Sequence, residues 1–261
     1  MASHSTSTDV TVAATARTLR RDNTVAAVVH LAQAVVVVLL ATGFALPVTA
    51  AYLEGPPGTP AQDPVVLFEI PTGAAVAAFL ALSGLAHLLV VTVWWRRYLT
   101  DLGRTRNPAR WVEYSLSSSL MIVLIAQLVG ISDIAALVAL FGVNAAMILF
   151  GWLQEHYERP GLGGWLPFTF GCVAGIVPWL AIGVYLLSPG STSSATPPGF
   201  VYGIFISLFA FFNVFALNQW LQYRARGRWS SYVFGERVYI LLSLTAKSAL
   251  AWQVFAGTLA G

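Results

Sequence analysis

The chain has 261 residues, of which 57% are hydrophobic and only 10% are charged. A soluble core of this size does not need so apolar a composition, so the sequence predicts an integral membrane protein and excludes an ordinary soluble domain. The net charge of +3 gives no reason to expect a nucleic-acid partner, because the arginines follow a membrane topology described below.

Seven apolar stretches are each long enough, at roughly 20 residues, to cross a bilayer core. In chain order they cover residues 24–46, 72–95, 108–130, 134–156, 165–187, 200–223 and 236–257. The preceding residues are polar and rich in Ser, Thr and Ala, and the first apolar run is too long for a signal-peptide core. We therefore predict a disordered cytoplasmic tail over 1–22 and one seven-helix transmembrane domain over 23–261.

The two loops predicted to be longest on the side opposite the tail differ in kind. Residues 47–70, PVTAAYLEGPPGTPAQDPVVLFEI, place two β-prone segments on either side of a Pro/Gly cluster, which predicts a small β-hairpin in the first extracellular loop. Residues 188–199, SPGSTSSATPPG, have no such pattern and predict a flexible connector. The expected fold is an all-α membrane protein, a seven-helix bundle with one small hairpin.

Arginine placement predicts the orientation of the bundle. With seven spans, the N-terminal tail and the loops after spans two, four and six lie on one side, and all thirteen arginines can be placed on or near that side. By the positive-inside rule the N-terminus is cytoplasmic and the C-terminus is extracellular. We expect a multi-pass protein of the plasma membrane.

Motifs of soluble chemistry are missing from the sequence. We find no P-loop, dinucleotide glycine fingerprint, HExxH or Gly-x-Ser-x-Gly elbow, so we expect no enzyme. The single cysteine, Cys172, excludes an intramolecular disulfide and a cysteine metal cluster, and we expect it to be a packing residue. His156 lies among Glu155, Glu158 and Arg159, which predicts a solvated helix end rather than a metal site.

The only lysine of the chain lies in the last apolar stretch, in the run SLTAKSALAW. Lys247 is ten residues from Arg237, which places it about 15 Å from the basic side along a helix. Three interpretations follow: a lysine that snorkels to the surface, a structural ion pair, or a reactive amine that forms a Schiff base with a carbonyl cofactor.

A buried cation in a low dielectric needs a negative partner. Glu113, in the third span, is the one carboxylate that the sequence places convincingly inside the membrane, because Asp133 begins the next span and Glu236 opens the last one. The sequence therefore predicts that Lys247 and Glu113 form a pair.

Helical spacing extends this pair into a polar seam. Ser117 lies four residues after Glu113, and Ser243 lies four residues before Lys247, so each serine shares a helix face with its charged neighbour. If the third span begins at Arg110, Glu113 is only about 5 Å deep. Lys247, at about 15 Å, would then lie deeper than Glu113. A helical lysine leans toward the N-terminus of its helix, here the arginine-rich side, which reduces the difference in depth between the two groups.

Five segments of the chain resemble the heliorhodopsins, retinal-binding seven-helix proteins distantly related to other microbial rhodopsins. The resemblance spans the chain after the polar tail, and it lies in RWVEYSLSSSLMIVLIAQ, FGVNAAMILFGWLQE, FGCVAGIVPW, PGFVYGIFISLF and AKSALAWQVF. Heliorhodopsins are inverted relative to other microbial rhodopsins, which agrees with the cytoplasmic N-terminus. The resemblance implies that Lys247 holds all-trans retinal as a protonated Schiff base with Glu113 as counterion, and that Ser117 and Ser243 surround this pair.

The resemblance also implies a proton-accepting role for two intramembrane histidines, His30 and His87, although each could instead be a helix–helix hydrogen-bonding residue. The residues expected to line the retinal pocket, for which ordinary bundle packing is the alternative, are Tyr114, Ser118, Met121, Ile122, Asn144, Met147 and Phe212.

Three functions remain open. A photosensory retinal protein that signals by conformational change without net ion transport comes first, because familiar proton pumps use carboxylates on both sides of the Schiff base and this sequence offers one. A light-driven ion pump or channel comes second, and a seven-helix receptor or transporter without chromophore third. The expected partners are the lipid bilayer, a second copy in a homodimer and an unknown cytoplasmic signalling protein.

Overall fold

The computed structural model describes residues 2–60, 62–188, 191 and 196–259, with side chains between residues 13 and 258 of these ranges. The helices are α1 Ala2–Leu40, α2 Thr72–Val91, α3 Trp95–Gly103, α4 Pro108–Leu128, α5 Ile134–Tyr157, α6 Leu166–Leu187, α7 Gly199–Arg224 and α8 Tyr232–Val254. A 3₁₀ turn lies at Gly227–Ser230, a π-helical turn at Phe255–Leu259, and the strands are β1 Ala45–Ala50 and β2 Val65–Pro71.

Seven helices within the described residues are long and apolar enough to cross a membrane. They cover Ala13–Leu40, Thr72–Val91, Pro108–Leu128, Ile134–Tyr157, Leu166–Leu187, Gly199–Arg224 and Tyr232–Thr258. The predicted seven-helix bundle is therefore confirmed. The remaining helix, α3, is short and was not predicted. The second span, predicted to continue to residue 95, ends at Val91, and the chain turns before α3 begins at Trp95.

The first helix begins earlier than predicted. Residues 13–22 belong to α1, and Leu19 is 1% exposed in a small apolar cluster with Tyr98 and Tyr232. No glycine or proline precedes Gly43, so nothing in the sequence breaks the helix before the membrane span. The disordered tail predicted over residues 1–22 does not hold for residues 13–22.

The predicted hairpin between the first two spans is confirmed. Strands β1 and β2 pair antiparallel, with Ala45 opposite Pro71 and an irregularity between Val48 and Thr49. The amide of Thr49 donates a hydrogen bond of 2.9 Å to the carbonyl oxygen of Ser132, which joins the hairpin to the turn between α4 and α5. The hairpin thus covers the bundle at the end opposite the start of α4.

Helix α4 is the central helix of the bundle, since 67% of the residues in its most apolar stretch are buried, compared with 17% in that of α7. Its start is well defined: Asn107 caps the helix by accepting a hydrogen bond from the amide of Arg110, and Pro108 occupies the first turn. The largest apolar cluster draws on all seven spans and includes Phe79 of α2 and Leu250 of α8.

Glycines allow two helix pairs to approach closely, as is common in membranes. A Cβ on Gly84 of α2 would lie 2.7 Å from Cγ of Leu31 on α1, and a Cβ on Gly151 of α5 would lie 2.5 Å from the ring of Trp111 on α4. The second contact fixes the indole of Trp111 close to the charged groups described next.

Candidate functional site

Lys247 on α8 and Glu113 on α4 form a buried ion pair. Lys247 Nζ lies 2.9 Å from Glu113 Oε1, and the two residues are 3% and 7% exposed. The pairing inferred from the sequence is present in the structure, and the expected difference in depth does not separate the two groups. A buried pair of this kind needs further hydrogen bonds to offset the loss of hydration.

Serines supply two of these bonds. Lys247 Nζ donates to Ser243 Oγ at 2.9 Å, and Ser83 Oγ on α2 donates to Glu113 Oε1 at 2.5 Å. Ser117 is fully buried one helical turn after Glu113, on the same face of α4. Ser83 was missed by the sequence reasoning. The signal available in the sequence was a serine followed by a glycine in the middle of an apolar span.

Tyr114 packs against the amine from a third direction. Lys247 Nζ lies 4.9 Å from the centroid of the Tyr114 ring, within the range of a cation–π contact. The Tyr114 hydroxyl donates to the carbonyl oxygen of Tyr239 at 2.9 Å, which fixes the ring. The positive charge of the lysine is therefore held by a carboxylate, a hydroxyl and an aromatic face.

A largely apolar cavity of about 180 Å³ adjoins the pair, between α4, α5, α6, α7 and α8. Of the residues predicted to line a pocket, Tyr114, Ser117, Ser118, Met121, Met147, Phe212, Ser243 and Lys247 border it. Lining residues that the sequence reasoning missed include Trp111, Gly171, Cys172, Gly175, Trp179 and Asn213. Cys172, expected to be a packing residue, is exposed and borders the cavity.

Two residues predicted to line the pocket do not border this cavity. Ile122 is fully buried in the main apolar cluster. Asn144 is 1% exposed and donates to Ser118 Oγ at 2.9 Å and Ser119 Oγ at 3.0 Å. Its amide thus supports Ser118, which does border the cavity.

The two histidines named from the sequence lie together. The rings of His30 and His87 are stacked, with centroids 6.1 Å apart and planes inclined by 12°. His87 Nδ1 lies 2.8 Å from Oδ1 of the buried Asn23, while neither ring nitrogen of His30 has a partner among the described residues. A cavity of about 30 Å³ is bordered by both His87 and Glu113.

A second buried charged cluster was not predicted. Arg110 Nη2 lies 2.7 Å from Glu155 Oε1, and Arg110 Nη1 pairs with Glu236 Oε2. Asn107 Nδ2 also donates to Glu236 Oε1 at 2.6 Å. The inference that Glu113 is the one buried carboxylate is therefore wrong, because Glu155 and Glu236 are each 2% exposed.

Aromatic groups complete this cluster. Trp111 Nε1 donates to Glu155 Oε2 at 2.6 Å, and the Tyr232 hydroxyl donates to the other oxygen of Glu155. The guanidinium of Arg110 lies 4.1 Å from the ring centroid of Tyr239. The helix end at Glu155, predicted to be solvated, is thus buried because its charge is compensated. The sequence did offer a signal for this cluster, because Glu155 and Glu236 lie near span ends on the same side as the arginines.

Seven spans around a buried lysine–carboxylate pair, with an apolar cavity beside the amine, define the class of the microbial rhodopsins. The family model described as Heliorhodopsin matches residues 19–259, and the chain belongs to the heliorhodopsin family. No curated protein matches the chain. Family membership implies a retinal chromophore and a multi-pass membrane protein.

The residues present fit such a chromophore. The cavity combines one primary amine with apolar and aromatic walls, which suits a long hydrocarbon that carries a single carbonyl group. Gly175 shapes the wall on α6, since a Cβ there would lie 2.5 Å from Sδ of Met147. Trp179 packs edge-on against Phe209 and Phe212, with ring centroids 5.4 and 5.3 Å away, and all three rings border the cavity.

Proposed function

We propose that this protein is a light sensor in which Lys247 carries all-trans retinal as a Schiff base and Glu113 is the counterion. The observation that carries the proposal is the 2.9 Å contact between Lys247 and Glu113 beside an apolar cavity. When bound, retinal supplies the absorption of visible light and the change of shape that follows it. Signalling then takes place by conformational change, without net ion transport.

The chain's own residues hold the charge at the lysine nitrogen. Glu113 provides the negative charge, and Ser83 and Ser243 orient the two partners through hydrogen bonds of 2.5 and 2.9 Å. Low dielectric strengthens this attraction and disfavours an unpaired charge. Transfer of a proton away from the lysine nitrogen therefore requires acceptors close to Glu113, which we propose are His30 and His87.

The distribution of acids supports the absence of net transport. Within the described spans, the buried carboxylates Glu113, Glu155 and Glu236 lie at the start of α4, the end of α5 and the start of α8, all at one end of the bundle. The opposite half offers amides such as Gln127 and Gln253, which do not titrate. Within the described spans, a released proton thus has buried carboxylates near it on one side only, from which it returns to the same nitrogen.

A light-driven ion pump or channel is the alternative function. Two further buried carboxylates, Glu155 and Glu236, provide additional proton-binding groups near the surface, but they lie on the same side as Glu113. The test is a light-induced pH change or photocurrent in vesicles that contain the pigment. A sustained signal abolished by a protonophore would establish transport and overturn the sensor proposal, whereas no signal alongside a complete photocycle supports sensing.

We further propose a plasma-membrane protein with a cytoplasmic N-terminus, an extracellular C-terminus and a homodimeric assembly that acts on a cytoplasmic signalling protein. The arginine distribution supports the orientation, and exposed apolar side chains such as Leu180, Val184 and Leu187 on α6 supply a surface for lipid or a second copy. A monomeric mass in mild detergent would contradict the dimer.

A further inference from the structure

We propose that Asn23 fixes the hydrogen of neutral His87 on Nδ1, so that Nε2 is the atom that takes up a proton. Asn23 is then a positioning residue for the proton acceptor. The inference rests on the proposed function only in the step that delivers a proton, whereas the position of the hydrogen in the dark is a property of the chain itself.

The orientation of the Asn23 amide follows from its neighbours. Asn23 is 2% exposed, and its Nδ2 lies 2.9 Å from the carbonyl oxygen of Leu19, one helical turn earlier. A carbonyl oxygen can only accept, so the amide nitrogen must face it. The same nitrogen lies 3.4 Å from the hydroxyl oxygen of Tyr98. Both contacts therefore leave Oδ1 to face His87.

This orientation selects one form of the imidazole. Asn23 Oδ1 has no hydrogen, and it lies 2.8 Å from His87 Nδ1, so the hydrogen of this bond must come from the ring. A neutral imidazole carries one N–H, so its Nε2 retains a lone pair. The other tautomer would place two lone pairs opposite each other at 2.8 Å.

The hydroxyl of Tyr98 supports the arrangement from the other side. Burial and the charge of Glu236 raise the pKa of Tyr98 well above its usual value, so the hydroxyl keeps its hydrogen. It donates that hydrogen to Glu236 Oε1 at 3.2 Å. Its oxygen is then free to accept from the Asn23 amide, which locks the amide in one orientation.

The lone pair of His87 Nε2 is buried and has no partner within the part of the chain that the structure describes. His87 and Glu113 border the same cavity of about 30 Å³, which is large enough to admit a water molecule that could carry a proton between them. The titratable or charged groups around His87 are His30 from α1, Tyr98 from α3, Arg110, Glu113 and Tyr114 from α4, and Glu236 and Lys247 from α8. His87 Nε2 is thus an acceptor atom next to the counterion.

Nitrogen-15 NMR of histidine-labelled protein in the dark tests the assignment without light. The chain has four histidines, and the His87→Gln variant identifies the signals of His87. We expect wild-type His87 to show a protonated Nδ1 and an unprotonated Nε2. We expect Asn23→Leu, which removes the acceptor that faces Nδ1, to lose this preference.

Wild-type protein alone can overturn the proposal, since a dark spectrum with the hydrogen on Nε2 contradicts it even if Asn23→Leu does not fold. An unchanged tautomer in folded Asn23→Leu would also contradict it. Under continuous light we expect both nitrogens of His87 to be protonated in the accumulated photoproduct. Unchanged His87 signals during a complete photocycle would refute Nε2 as the acceptor, whereas failure to form any pigment would refute the proposed function and leave the dark tautomer intact.

Discussion

Ser83 donates a hydrogen bond of 2.5 Å to Oε1 of Glu113, the same oxygen atom that accepts a hydrogen bond from Lys247 at 2.9 Å. One oxygen of the carboxylate is therefore shared between a charged donor on α8 and a neutral donor on α2. The strength of the ion pair depends on both, because a hydroxyl that bonds to a carboxylate spreads part of its negative charge.

Ser83→Ala should strengthen the attraction between Glu113 and the charged nitrogen of Lys247. We expect the absorption maximum of the pigment to move to shorter wavelength, and the free energy of unfolding to fall by about 1.5–3 kcal/mol, the usual contribution of a hydrogen bond to a charged group. Visible spectra and thermal melts in mild detergent measure both. Ser83→Thr, which keeps the hydroxyl, and Ser115→Ala, which removes a buried hydroxyl of α4 bonded to the Val112 carbonyl, should leave the colour unchanged.

Lys247→Ala should abolish visible absorption after addition of retinal, because no other lysine exists in the chain. The substitution also leaves Glu113 buried without its cation, a situation that costs about 3–5 kcal/mol unless the carboxyl group becomes protonated. The double variant Lys247→Ala, Glu113→Gln removes both charges and serves as the folded, colourless control. Retained colour in either variant would contradict a Schiff base at this lysine.

Glu113→Gln should remove the negative charge that stabilises a positive lysine nitrogen. We expect a strong change of colour, and a visible band that disappears at lower pH than in the wild-type pigment. Spectrophotometric titration measures both effects. Glu155 and Glu236 are also buried, so Glu155→Gln is the matched control. An equal change of colour and of titration in Glu155→Gln would show that the effect is not specific to Glu113. An unchanged titration for Glu113→Gln would point to another counterion.

Arg110→Gln should destabilise the protein strongly. It would leave Glu155 and Glu236 buried and uncompensated, for which we expect a loss of about 3–5 kcal/mol in the free energy of unfolding. Adding Glu155→Gln and Glu236→Gln to the same chain should restore most of this loss, because the unpaired charges are then removed.

The exposed pair of Arg97 and Asp101 provides the control for Arg110. Arg97 Nε lies 3.7 Å from Asp101 Oδ2, and the Arg97 side chain is 79% exposed. Arg97→Gln should therefore change stability by about 1 kcal/mol or less. Equal melting shifts for Arg97→Gln and Arg110→Gln would show that the buried cluster does not stabilise the bundle.

Gly151→Ala should disturb the contact between α4 and α5. The added methyl group would lie 2.5 Å from the Trp111 ring, and overpacking of this kind costs about 1–3 kcal/mol. Gly142→Ala on the same helix is the matched control, since its Cβ would have no neighbour within 4 Å. A lower melting temperature for Gly151→Ala alone is the expected result, and equal melting temperatures would contradict the tight contact.

The sequence alone was enough to predict the seven spans, the hairpin and the pairing of Lys247 with Glu113. These predictions depend on properties that a chain shows locally: the length of apolar runs, the Pro/Gly cluster between two β-prone segments, and the rarity of charges inside spans. Lys247 was identifiable because it is the only lysine and lies far from either span end.

The cluster of Arg110, Glu155 and Glu236 could not be predicted in the same way. Each residue lies near the end of a span, where a charge that points to water and a charge that points into the bundle look alike in the sequence. The difference depends on how α4, α5 and α8 meet, which is set by contacts such as that between Gly151 and Trp111. For the same reason the predicted pocket included Ile122 and omitted the wall on α6.

Cys172 has a practical consequence, because it is the only thiol in the chain and it lies on the wall of the large cavity while remaining exposed. The protein therefore carries its own chemical reporter. We expect a membrane-permeant alkylating reagent to modify this sulfur more slowly when the neighbouring space is filled, so chromophore loading could be followed without an engineered cysteine or a fluorescent tag.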